Sequence, residues 1–110
     1  MNVIDIAKYL GQEIKKSEEY LAFKEIKERI NSNPELKSKI DEFEKVRYSV
    51  QISAIQNEGQ NEEGMQKLQQ IYGMLMEDET IKEYFEKQVR FNVMIADVNK
   101  IIGNSIKDLL

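Results

Sequence analysis

"ETIKEYFEKQVRFNVMIADVNKIIGNSIK", residues 79–107, decides the fold. Its apolar residues recur at spacings of three and four, never in strict alternation, and no glycine or proline interrupts it before Gly103. Such a pattern predicts one long helix running from Glu79 to about Lys107. About 29 residues at roughly 1.5 Å each would span about 43 Å. A compact domain of this chain length has a radius of gyration of roughly 13 Å and a diameter of roughly 34 Å. A straight helix of that length therefore projects from a single-chain globule.

Placed at about 100° per residue, Phe91, Met94, Ile95, Val98, Ile101 and Ile102 share one arc of about 120°. A second row, Phe85, Val89, Val93 and Ala96, lies on a different side. A helix with two apolar faces has to be covered from two directions, and a second copy of the chain is the expected cover. The predicted interface residues are Phe85, Val89, Val93, Ala96, Phe91, Ile95, Val98 and Ile102.

The same periodicity extends upstream. Val3, Ala7, Leu10 and Ile14 fall on one face of a first helix from about Val3 to Lys16. Ser17 is placed to cap the next helix, with Glu18 and Glu19 at the positive end of its dipole. That helix points Tyr20, Phe23, Ile26 and Ile30 inward. Asn33-Pro34 opens a third, Asn33 as cap and Pro34 at the first helical position, where its missing N–H costs nothing. Leu36, Ile40, Phe43, Arg47 and Val50 then make a heptad seam with one charged member. A fourth helix, Glu62 to Met76, is expected to bury Met65, Leu68, Ile71, Tyr72 and Leu75. "EDET", 77–80, restarts the chain with Asp78 as cap.

The predicted fold is all-α: about five helices with a long C-terminal one, in an elongated bundle that assembles as an intertwined or side-by-side homodimer. All 110 residues fit a single helical domain. The one expected interruption is "QNEGQNEEG", 56–64, where glycines and polar neighbours predict a mobile loop at about 56–62.

Composition removes several kinds of chemistry. With no cysteine, disulfides, thiolate nucleophiles and thiolate-bound metals are excluded; with no histidine, the usual acid–base catalyst near neutral pH is missing. Paired Glu-x-x-His motifs for a di-iron bundle cannot be written. A net charge of -4 gives no positive field for nucleic acid or anionic lipid. The N-terminus has no signal-peptide pattern, and no run approaches a membrane span. These features predict a cytoplasmic protein that binds neither nucleic acid directly nor membrane.

Each remaining chemical candidate has a plainer reading. "GQNEEGMQ", 59–66, imitates the start of a phosphate-binding loop, but Met65-Gln66 replace the lysine and hydroxyl, and no strand precedes it. Read as an EF-hand from Asn57, it puts Gly59 and Leu68 where oxygen ligands belong. Glu77, Asp78, Glu79 and Glu83 could hold a hard cation or act as an acid–base pair, but read first as a solvated helix start. Met65, Met74, Met76 and Met94 are core or an adaptable docking surface. Asn92 and Asn99, seven apart, either set register across a helix interface or stand on an exposed flank. Lysines and arginines between 24 and 47 are interleaved with acids, as at Glu25/Arg29 and Asp41/Lys45, in ordinary surface pairing.

"SEEYLAFKEIKERINSNPELKSKIDEFEKVR", 17–47, and "YFEKQVRFNVMIADVNKIIGNSI", 84–106, resemble the YlbF/YmcA family of small helical bacterial proteins, especially its YheA-like branch. The sharpest points are the Ser-Glu-Glu-aromatic start at 17–20 and Asn-Lys-Ile-Ile at 99–102. The resemblance implies a dimeric bundle of long helices in the cytoplasm. It also implies non-enzymatic regulation of competence, sporulation, biofilm formation and RNA processing, in some members through the endoribonuclease RNase Y. The cysteine-ligated iron–sulfur clusters associated with those members cannot be carried over to a chain without cysteine, and no cofactor is expected. The expected function is a regulatory or adaptor protein acting through helical protein–protein contacts. The alternative is a carboxylate-based metal-binding or catalytic bundle.

Overall fold

In the computed structural model, described for residues 1–57 and 62–110, the elements are α1 (Val3–Lys16), α2 (Glu18–Asn31), α3 (Pro34–Asn57), α4 (Glu62–Leu75) and α5 (Glu79–Ile106). A short 3-10 turn, Lys107–Leu109, follows α5. The fold is all-α, with no strand among the described residues. Of the loop expected over 56–62, Gln56 and Asn57 belong to α3 and Glu62 to α4. The rest of that loop, 58–61, where mobility is expected, lies outside the described residues.

The helix boundaries follow from capping chemistry. The Ser17 hydroxyl accepts the Tyr20 N–H at 3.1 Å and donates to the Ile14 carbonyl at 2.6 Å, so one side chain closes α1 and opens α2. Asn33 Oδ1 accepts from Glu35 and Leu36 at 3.2 and 3.3 Å. Asp78 Oδ1 accepts from Thr80 and Ile81 at 2.9 and 3.1 Å. Those three caps stand where the sequence placed them. A fourth, Asn2 accepting from Asp5 at 2.8 Å, was not anticipated.

The chain forms two compact units, Met1–Lys27 with Tyr84–Leu110, and Glu28–Glu83. In the second, α3 and α4 pack on each other, and the rings of Phe43 and Tyr72 meet at 5.9 Å. Ile30, Ile40, Phe43, Leu75 and Ile81 are buried there, Ile81 completely. Arg47, the charged member of the seam, is half-buried; it pairs with Glu44 and lies 5.6 Å from the Phe43 ring centre. Its aliphatic stem and flat cation suit a position that is apolar on one side and wet on the other.

Two readings of this region need correction. Met65 and Tyr72, expected in the core, are 48% and 45% exposed, because Leu68, Ile71 and Leu75 take the inward arc of α4 and their neighbours fall at its edge. The expected i,i+4 pairs also differ. Arg29 reaches Glu83 at 3.3 Å and Lys37 reaches Asp41 at 3.0 Å, in place of Glu25/Arg29 and Asp41/Lys45.

In the first unit an aromatic cluster joins α2 to α5. Phe23 sits 5.6 Å from both Tyr84 and Phe91, Tyr20 is 6.1 Å from Phe91, and Tyr84 meets Phe85 edge-on at 5.3 Å. Aromatic pairs at these separations add to the burial of their own area. Ile26, Tyr84 and Phe85 are the buried residues.

Candidate protein interface

The later turns of α5 and the whole of α1 carry more apolar surface than their unit covers. α1 has no buried residue. Leu10 and Ile14 are half-buried, whereas Val3, Ile4, Ile6 and Tyr9 are exposed. The apolar face proposed from Val3, Ala7, Leu10 and Ile14 is thus covered only toward its C-terminal end.

Along α5 the eight predicted interface residues divide. Phe85 is buried within the chain, and Phe91 is half-buried under Tyr20 and Phe23. Ile95 and Val98 are half-buried. Val89, Val93, Ala96 and Ile102 are exposed, Val89 at 58% and Val93 at 54%. Ile101 and Ile106, not among the predicted residues, are exposed as well. Asn92 and Asn99 both stand exposed.

A groove runs between α2 and α5. Its floor and edges are Ala22 from α2 and Val89, Val93, Met94, Val98 and Ile101 from α5. Glu18 and Glu19 stand on the α2 wall, and Lys87, Arg90 and Asp97 are distributed along α5. Sequence reasoning singled out none of these charged residues as part of a surface. The signal was available: Arg90 and Asp97 are seven apart and share a stripe with Val93 and Met94.

The acidic cluster at the start of α5 is otherwise engaged. Asp78 is committed to its cap, Glu83 to Arg29, and among the described residues no three acidic side chains converge as cation ligands. A second, smaller concavity bordered by Lys39, Glu42, Met74, Glu77 and Asp78 has mixed charge and an apolar base of Ile71, Leu75 and Ile81. No helix among the described residues is long and apolar enough to cross a membrane.

A family model described as "Control of competence regulator ComK, YlbF/YmcA" matches residues 3–107. Among curated relatives, a UPF0342 protein of Halothermothrix orenii is 33% identical over 97% of this chain and 91% of its own length. One from Caldicellulosiruptor bescii is 33% identical over 96% of this chain and 89% of its own. A third, from Bacillus licheniformis, is 28% identical over 99% and 93%.

Proposed function

The chain belongs to the YlbF/YmcA family, and from that premise we propose that it is a regulatory adaptor that works by holding other proteins against helical surfaces. A family described by control of a competence regulator supports a regulatory role and is not a known class of enzyme. The observation that carries the adaptor reading is the exposed apolar face of α1 and of α5 beyond Phe85. Large exposed apolar patches commonly mark interaction sites.

The adaptor is a cytoplasmic homodimer. Val89, Val93 and Ala96 supply the surface that a second copy covers, while Ile95, Val98 and Ile102 belong to the other apolar side of α5. Tyr9, Tyr48, Met65 and Met74, all exposed, are suited to a further protein partner, since aromatic and thioether side chains give adaptable contact area. The net charge of -4 argues against direct nucleic-acid binding.

Affinity purification from the native cell, comparing the wild-type chain with Val93→Glu, tests the reading. A protein partner retained by the first and lost by the second is expected. A bound metal needed for the cellular phenotype, with no protein partner, would overturn it.

A further inference from the structure

We propose that the dimer forms by antiparallel pairing of α5 with α5 of a second copy, about a two-fold axis passing between Val93 and Met94, with reciprocal Arg90–Asp97 ion pairs. This rests on the homodimer reading above and specifies its geometry.

Arg90 and Asp97 lie on the same stripe of α5, two turns or about 10 Å apart along its axis. Both are exposed and border the groove, and among the described residues neither makes an ion pair within the chain. Their midpoint falls between Val93 and Met94. A two-fold axis there exchanges them, so each Arg90 meets the partner's Asp97 and the interface contains the pair twice. Val93 then faces the partner's Val93, and Met94 the partner's Met94, on either side of the charged line. A parallel pairing would set arginine against arginine and aspartate against aspartate, which is penalised.

Two observations favour a second copy over other occupants. The groove carries both signs, Lys87 and Arg90 against Glu18, Glu19 and Asp97, which suits neither a polyanion nor a strongly basic peptide. The chain's own α1 cannot fold back along α2 to fill it. The connection is the single extended residue Ser17, hydrogen-bonded on both sides, whereas antiparallel helix hairpins need two to five residues.

Charge exchange tests the geometry. Arg90→Asp and Asp97→Arg should each weaken the dimer about tenfold or more, as measured by sedimentation equilibrium, with helicity unchanged. The double variant should return to near the wild-type affinity. Mixing the two single variants should give heterodimers, because both pairs are then restored. Lys45→Glu, an exposed reversal on α3, should have no effect on the dimer. In this cysteine-free chain, Val93→Cys should cross-link to its own copy under mild oxidation, and Val89→Cys should not. A wild-type monomer at micromolar concentration would overturn the homodimer reading itself. A wild-type dimer in which the double variant is as weak as the singles, or in which Val89→Cys cross-links and Val93→Cys does not, would leave the dimer standing and overturn this geometry.

Discussion

The unit Glu28–Glu83 and the unit built from the two ends of the chain use the same apolar periodicity for different ends. In the first, Ile30, Ile40, Phe43, Leu75 and Ile81 are covered by their own chain. In the second, burial stops at Ile26, Tyr84 and Phe85, and Val89, Val93, Ile101 and Ile102 face outward with Val3, Ile4 and Ile6 of α1. Burial within the chain is thus heavier in the unit Glu28–Glu83, and the association proposed above draws on the unit built from the two chain ends.

The largest expected effect separates the two directly. Ile81→Ala, at a fully buried site, should lower unfolding free energy by about 3 kcal/mol in urea denaturation. Val93→Ala should change it by less than about 0.5 kcal/mol when measured on the dissociated chain. Equal losses would mean that Val93 is covered within the chain and that the comparison is wrong.

Next comes a charge in the exposed row. Val93→Glu should weaken dimerisation by about 2 kcal/mol, roughly thirtyfold, with little change in helicity by circular dichroism. Loss of helicity at every concentration would place Val93 in a core instead.

A smaller effect sharpens the reading of the acidic cluster. Asp78→Ala removes the cap of α5 and should cost about 1 kcal/mol, while Glu77→Gln and Glu79→Gln should be nearly silent. Glu83→Gln gives up a largely exposed pair with Arg29 and should cost less than about 1 kcal/mol. None of the four should abolish the cellular phenotype. If the glutamine variants fold normally and still lose it, the cluster is a site after all.

The smallest effect is a gain. Gly73 lies inside α4, and beyond its own helical turn no atom of the described residues comes within 4 Å of where a Cβ would stand, so Gly73→Ala should stabilise the chain by up to about 1 kcal/mol. A decrease in melting temperature would show that another surface approaches α4 closely there.

The helix ends were legible because capping is local: Ser17, Asn33-Pro34 and Asp78 each satisfy N–H groups within three residues. The Asn2–Asp5 cap had the same kind of signature and was overlooked. The length of α5 was legible too, since only Gly103 could have stopped it and a lone glycine does not break a helix. Coverage was not legible. Periodicity fixes the direction in which Met65, Tyr72 or Val3 points, but whether anything lies in that direction depends on tertiary packing. Phe85 and Val89 sit in one predicted row, yet the first is buried and the second is 58% exposed. The groove charges escaped notice because Arg90 and Asp97, read singly, resemble any solvated residue, and gain meaning only as a pair seven apart on an apolar stripe.

The central claim is that a second copy covers the bare face of α5. Its most direct test is the molar mass of the purified chain by light scattering, followed through dilution. Twice the 12.9 kDa chain mass is expected at micromolar concentration, falling toward the single-chain value on dilution for Val93→Glu well before wild type. A mass of one chain at every concentration, with the exposed row intact and the protein fully helical, would contradict it.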